Sequence, residues 1–341
     1  MQIEEYIPLS RFTTFKIGGP ARFFIRARSV TDLKNALEFA QGRKLPFFIL
    51  GGGSNILAPD AGFAGVVIKN EISGLDISKK NTHDVLVKVG SGENWDLLVM
   101  LFSAKGLFGA ENLAGIPGTV GATPVQNIGA YGTEIKDIVD SVEVLNSKTG
   151  RLRKMENAEC KFAYRESIFK RKEGKDLIIT SVTFRLKKKG KLNLEYKDIQ
   201  KYFADKKIEP KTPEEVRCAV LEIRAGKFPD LKTCGTAGSF FKNVIISKKQ
   251  YEKLLKKFPS MPSYPMGKKE LKIPTAWILD TVCGFRGVRE KNVGTFERQA
   301  LVLVNHGGAS AREVRDLAIK MQKAVKQKTG IAIEFEVCFL S

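Results

Sequence analysis

The chain has 341 residues, 43% hydrophobic and 28% charged, the balance of an ordinary globular protein long enough for two or three domains. Its 57 basic and 37 acidic residues give a net charge of +20, a field that favours anionic partners: nucleic acid, acidic lipid or phosphorylated small molecules. Only two histidines (His83, His306) and five scattered cysteines (Cys160, Cys218, Cys234, Cys283, Cys338), never spaced CxxC, are present. These argue against a metal centre, a disulfide framework and a histidine-dependent triad.

In chain order, the acidic start Met1-Gln2-Ile3-Glu4-Glu5 lacks the basic-then-apolar layout of a signal peptide. No apolar run reaches the roughly 20 residues of a membrane helix, so a cytoplasmic protein is expected. Ser29 with Asp32 opens an amphipathic helix that Gly42 stops, and Phe47-Phe48-Ile49-Leu50 reads as a buried strand. Val85, Val87 and Val89 mark another strand, as do Ser141 to Leu145 and Leu177 to Leu186. Thr212-Pro213-Glu214-Glu215 combines a capping threonine, proline at the first helical position and glutamate three residues after the cap. A second capping box, Ser310 with Glu313, precedes an apolar stripe of Val314, Leu317, Ala318, Met321 and Val325 that ends at Gly330. Ile331, Ile333, Phe335, Val337 and Phe339 then alternate with Ala332, Glu334, Glu336 and Cys338, which predicts a strand with both glutamates on its non-core face. Short lysine clusters, such as Lys206-Lys207, Lys248-Lys249, Lys256-Lys257 and Lys268-Lys269, have no regularly interleaved aromatics and read as solvated surface. Strands and helices alternate throughout, so the class is mixed α+β.

Two glycine-rich segments carry the chemistry. Gly51-Gly52-Gly53-Ser54-Asn55 follows a strand, where successive backbone N–H groups can form a concavity for phosphate oxygens. It is neither a Rossmann fingerprint, since Ile56 holds the place of the third glycine, nor a P-loop. A tight turn and an anion site are both open readings. The second segment runs from Gly115-Ile116-Pro117-Gly118-Thr119-Val120-Gly121-Ala122 through Asn127-Ile128-Gly129-Ala130-Tyr131-Gly132, uncharged throughout and too rich in glycine and proline for one regular element. Such an uncharged irregular stretch in a basic protein suggests backbone packed against a large cofactor.

Together with Tyr164-Arg165-Glu166-Ser167-Ile168-Phe169-Lys170, Gly238-Ser239-Phe240-Phe241-Lys242-Asn243 and Ile333-Glu334-Phe335-Glu336-Val337, these segments resemble the UDP-N-acetylenolpyruvoylglucosamine reductases in order and spacing. The resemblance implies a vanillyl-alcohol-oxidase-like FAD-binding fold of two α+β subdomains with a separate C-terminal-half α/β substrate domain. The bounds it implies are residues 1–68, completed by 329–341, and 69–228 for the flavin, and 229–328 for the UDP-sugar. It further implies a monomer with non-covalent FAD, NADPH as co-substrate and UDP-N-acetylglucosamine enolpyruvate as acceptor, in ping-pong order, and no nucleic-acid partner.

Residue by residue, the resemblance places Gly51, Gly52, Gly53, Ser54, Asn55, Pro117, Gly118, Thr119, Val120, Gly121, Ala122, Gly129 and Tyr131 on the flavin nucleotide. Ser239 takes the place of the proton donor, Arg165 that of the group beside the substrate carboxylate, and Glu336 that of the catalytic acid. Tyr164, Tyr196, Arg224, Lys227, Asn243 and Gln299 match substrate-side positions. The residue types suit the reaction, because hydride addition to an enolpyruvyl group leaves enolate-like charge that a guanidinium stabilises and a hydroxyl protonates. Read without the resemblance, Ser239 is a small turn residue, Arg165 a surface ion-pair partner and Glu336 a solvated acid. A flavin oxidase of the same fold is the competing enzyme, against which stand Ser239 with Glu336 and glycine segments without histidine for covalent flavin. A basic nucleic-acid-binding protein competes from outside the enzymes. Val244, where proline is common in the family, and Cys234, before the serine, are the departures; Cys234 would make the site sensitive to thiol reagents.

Overall fold

The computed structural model describes residues 1–79 and 81–340. The chain forms two compact units: Met1–Ile7, Ala21–Gly53 and Ala64–Gly226 make the first, and Pro8–Pro20, Ser54–Phe63 and the described residues from Lys227 onward make the second.

The first unit carries two sheets. One is four-stranded, in the order Ile3–Pro8, Pro20–Ala27, Phe63–Asn70, Phe47–Leu50, with the last two strands parallel. Helix Val30–Gly42 covers it; the Ser29 hydroxyl caps the helix by accepting the Asp32 N–H at 3.0 Å. Its buried residues Leu33, Ala36, Leu37 and Ala40 recur at helical spacing and pack with Ile25, Val66 and Ile68. Phe47–Leu50 is a strand as its sequence predicts, but Leu50 alone is buried, because this strand lies at the sheet's edge.

The second sheet is antiparallel and five-stranded, in the order Leu152–Glu156, Val139–Asn146, Leu177–Lys187, Asp84–Gly90, Leu75–Lys79. The predicted β-branched runs therefore lie side by side. Helix Trp95–Ala104 packs its Trp95, Leu98, Val99 and Phe102 into the same core as Val216, Ala219 and Val220 of helix Pro213–Ala225. The Thr212 capping box forms as expected, with Pro213 at the first position. Each fully buried large side chain of this kind contributes about 1.5–3 kcal/mol.

In the second unit, helix Ala311–Thr329 buries the predicted stripe and stops at Gly330, whose φ of 73° an L side chain rarely adopts. Its N-terminus is held twice: Ser310 and Glu313 form the capping box, and the Asp60 carboxylate accepts the N–H groups of Ala311 at 2.7 Å and Arg312 at 3.1 Å. Around it pack Val293–Phe296 with Gln299–Asn305, and the small antiparallel sheet Val244–Ser247, Glu270–Ile273, Tyr264–Met266.

The expected final strand over 331–339 is corrected. Cys338–Phe339 is the only part of it in a strand, parallel to Ile56–Leu57, while Phe335 makes an isolated bridge to Phe241. The segment changes partners along its length: Glu334 O accepts from Lys242 N, Glu336 N donates to Phe240 O, and Cys338 N donates to Asn55 O. No single ladder can form on those terms. The alternation of faces survives, with Ile333 and Val337 buried, and Glu334 exposed; Glu336 is only half-buried and partly sheltered, not fully solvated.

Candidate active site

In the first unit the two glycine segments meet backbone to backbone. A Cβ on Gly52 would sit 2.6 Å from the Gly118 Cα, and one on Gly51 would sit 2.8 Å from the Thr119 hydroxyl. Only glycine permits this approach. The second segment is laid against residues 91–95 by three bonds: Trp95 N–H to Gly118 O at 3.1 Å, Val120 N–H to Glu93 O at 2.9 Å and Gly121 N–H to Ser91 O at 2.8 Å. Gly121 has no room for a Cβ either, which would lie 2.6 Å from that of Ser91.

Ser91 is itself fixed. Its hydroxyl donates to the Asn70 side-chain oxygen at 2.8 Å, and the Asn70 amide donates to Ile179 O at 3.0 Å. Both residues are buried, so these bonds cannot be replaced by water. Next to Asn70, Lys69 sends its Nζ to the Gly51 carbonyl. Sequence reasoning missed all three residues; nothing local marks them, because their roles depend on which strands become neighbours.

Arg165 reaches the end of the second segment, donating from Nη2 to Gly129 O at 2.8 Å, with its guanidinium 5.4 Å from the Tyr164 ring centre. Its backbone has φ of 52°, and Asn127 and Tyr131 share the left-handed region at 46° and 48°. Non-glycine residues held there carry strain of order 1–3 kcal/mol and persist only where the surroundings enforce it. Asn127 supplies the enforcement. Fully buried, it donates to Glu134 at 3.0 Å and to Ala163 O at 2.9 Å, and accepts the Lys136 N–H at 3.1 Å. It thereby clamps the segment bearing Arg165 onto the segment bearing Gly129.

Tyr131 packs edge-on against Tyr196, with ring centres 5.2 Å apart, and bonds to Arg224. Burial pushes the Tyr131 phenol up to about 12, so it stays neutral, with its oxygen accepting from the Arg224 guanidinium. Burial also pulls the Arg224 guanidinium down, opposed by Tyr131 and Asp96. Arg224 further donates to Gly115 O at 3.1 Å from the last turn of its helix.

In the second unit the turn that carries Ser239 is bonded through the next residue, Phe240, to the segment that carries Glu336. Ser239 follows Gly238, at φ of 73°, in a turn tied down by Thr236: the Thr236 hydroxyl donates to Leu303 O at 2.7 Å and accepts the Gly238 N–H at 3.1 Å. Beyond Ser239, Phe240 and Phe241 are fully buried; Phe240 meets Phe335 and Phe339 edge-on, and Phe241 stacks on Phe335. Phe240 O accepts the Glu336 N–H at 2.9 Å, and Asn55 donates its side-chain amide to Glu336 O at 3.0 Å. The Glu336 backbone is therefore held from both sides, by the Phe240 carbonyl and the Asn55 side-chain amide. Asn243 accepts the Thr275 N–H at 3.1 Å, Gln299 opens a strand opposite Phe296, and Lys227 is half-buried. Cys234 is half-buried, and burial raises its thiol pKa. That makes it less reactive than its place before the serine suggests.

Residues 21–156 match the family described as FAD binding domain, and residues 229–340 match UDP-N-acetylenolpyruvoylglucosamine reductase, C-terminal domain. A UDP-N-acetylenolpyruvoylglucosamine reductase of Chromobacterium violaceum is 39% identical over 100% of this chain and 99% of its own length. One of Flavobacterium johnsoniae is 42% identical over 99% of both. The crystal structure of UDP-N-acetylenolpyruvylglucosamine reductase from Thermus caldophilus covers 100% of both chains with a TM-score of 0.70 at 24% identity, and so shares the fold. A mixed α and β flavoprotein architecture is thus common to fold and sequence, and the chain belongs to the UDP-N-acetylenolpyruvoylglucosamine reductase family. Among the described residues no helix is long and apolar enough to cross a membrane.

Proposed function

We propose that this chain binds FAD non-covalently and uses NADPH to reduce UDP-N-acetylglucosamine enolpyruvate to UDP-N-acetylmuramate, a precursor of peptidoglycan. It is an oxidoreductase of the cytoplasm that works as a monomer. The observation that carries the reading is the pairing of the Ser239 turn with the Glu336 segment, in a chain that matches these reductases from end to end.

The residues present fit a dinucleotide. Gly51 and Gly52 leave no room for side chains beside Gly118 and Thr119, so bare backbone lines this part of the first unit, as close approach to a diphosphate requires. Gly51, Gly52, Gly53, Ser54, Asn55, residues 117–122, Gly129 and Tyr131 would hold it. Bound FAD supplies reversible hydride storage between NADPH and the sugar. Functionally, residues 1–68 with 329–341, and 69–228, serve the flavin; 229–328 serve the UDP-sugar.

The chain's own groups do the remainder. Tyr196, Arg224, Lys227, Asn243 and Gln299 bind the nucleotide sugar, the cations meeting its diphosphate. Tyr164 and Arg165 receive the enolpyruvyl carboxylate; the fork of Arg165, preset by Gly129, faces charge that grows during reduction. Ser239 Oγ gives the proton to the carbon beside the carboxylate, and Glu336 acts as an acid on the neighbouring strand of backbone.

The test is an anaerobic visible spectrum. A flavin band should bleach with NADPH and return when the enolpyruvyl UDP-sugar is added. A bleach that oxygen alone reverses would assign a different flavin reaction, and a colourless protein that takes up no FAD would overturn the reading.

A further inference from the structure

Lys69 stands where a strand runs out. In the parallel pair Phe47–Leu50 with Phe63–Asn70 it lies opposite Leu50, the last strand residue before the first glycine segment. One residue on, the Gly51 carbonyl is met by the Lys69 ammonium. A peptide unit is planar, and when trans its C=O and N–H point in opposite directions. With the Gly51 carbonyl turned toward Lys69, the Gly52 N–H must point away from it, to the side not occupied by the lysine. A Cβ on Gly52 would lie 2.6 Å from the Gly118 Cα, so the backbone just after this peptide packs closely against the second glycine segment. The acceptor facing Lys69 is a neutral carbonyl, so a half-buried positive charge stands behind the glycine segment; burial lowers its pKa, and Glu71 partly offsets this. Glu71 is also engaged by Arg26 at 2.6 Å and Arg28 at 3.7 Å.

We infer that Lys69 is a positioning residue of the nucleotide site: it orients the Gly51–Gly52 peptide so that the Gly52 N–H is presented to the dinucleotide diphosphate, and places a cation behind that donor. The inference rests on the reading that the glycine segments hold the diphosphate. It also explains the tolerance of a half-buried ammonium with a neutral partner: the charge is compensated when the anion arrives.

The experiment compares the full-length parent with Lys69→Met and Lys69→Arg after removal of flavin, measuring FAD affinity by flavin fluorescence at low and high salt and the melting temperature without FAD. Lys69→Met should melt no lower than the parent without FAD, yet bind FAD about ten-fold or more weakly, with a flatter salt dependence. Lys69→Arg, which retains a cationic donor, should recover most of the affinity. An affinity of Lys69→Met within about two-fold of the parent overturns the inference, as does a parallel loss of melting temperature and affinity, which would assign Lys69 to holding the strand alone. If Lys69→Met does not fold, Lys69→Gln decides: it keeps a donor without the charge, and equal FAD affinity at low salt overturns the role of the cation. A parent that takes up no FAD is a separate result and removes the flavin reading itself.

Discussion

The Arg165 guanidinium donates to the carbonyl of Gly129 at 2.8 Å, so the group proposed to meet the substrate carboxylate is braced by the backbone of a glycine segment. A Cβ on Gly129 would lie 3.1 Å from Arg165 Nη1, so a side chain at this position would press on the guanidinium. Arg165→Lys should lower kcat by about 10²–10³-fold, because a point charge cannot bond Gly129 and present a second donor in the same geometry. Flavin reduction by NADPH should be little changed, which stopped-flow absorbance of the separate half-reactions will show.

Ser239 enters the turn through backbone bonds, so removing its hydroxyl should leave the fold intact. Ser239→Ala should accept electrons from NADPH at the parental rate and lose about 10²–10⁴-fold in reduction of the sugar. Equal losses in both half-reactions would remove Ser239 from the proton-transfer step.

Asn127 holds Arg165 at a distance. Asn127→Ala breaks three buried bonds and releases a strained stretch, so the melting temperature should fall by an amount corresponding to about 2–4 kcal/mol. In protein that remains folded, KM for the sugar should rise along with the fall in kcat. Gly52→Ala makes a complementary test: the 2.6 Å clash with Gly118 should weaken FAD binding and cost about 1–3 kcal/mol of stability.

Glu111 gives a pH signature. It is 3% exposed, its carboxylate accepts the Gly109 N–H at 2.6 Å, and burial raises its pKa above the ordinary 4.5 in spite of that bond. The folded state then holds this proton more tightly than the unfolded one, so stability falls as pH rises from 4.5 through the raised value. Glu111→Gln retains an acceptor oxygen without the charge. It should melt above the parent at neutral pH, and the advantage should disappear below pH 4.5, where both states of the parent are protonated. Calorimetry across that range will read the difference.

Local signals in the sequence were strong where the structure depends on neighbours three or four residues away. Ser29 and Asp32, Thr212 and Glu215, and Ser310 and Glu313 all sit where their spacing places them, because a cap is made within one turn. The runs at 84–90 and 177–187 are legible from their β-branched composition, although their partners lie far along the chain. The final segment was misread because alternation reports which face a side chain takes, not which strand supplies its hydrogen bonds. Ser239, Arg165 and Glu336 came from motif resemblance; taken alone, each has an ordinary surface explanation. Lys69, Asn70 and Ser91 were invisible, since an unremarkable lysine, asparagine or serine acquires its role from strand order.

The second unit is threaded from three separate stretches of chain, and Ile56–Leu57 pairs with Cys338–Phe339, far along the chain. During synthesis, the first unit has its last residue, Gly226, while the second still lacks most of its core. Phe15, Ile17 and Leu57 emerge early and must wait, without their apolar neighbours, for Phe240, Leu303 and Met321. Closing such distant contacts is slow relative to local helix formation. A nascent chain of this family member therefore passes through a long window in which its early apolar residues are open to chaperones and to aggregation, and the tempo of translation past residue 227 sets how long that window lasts.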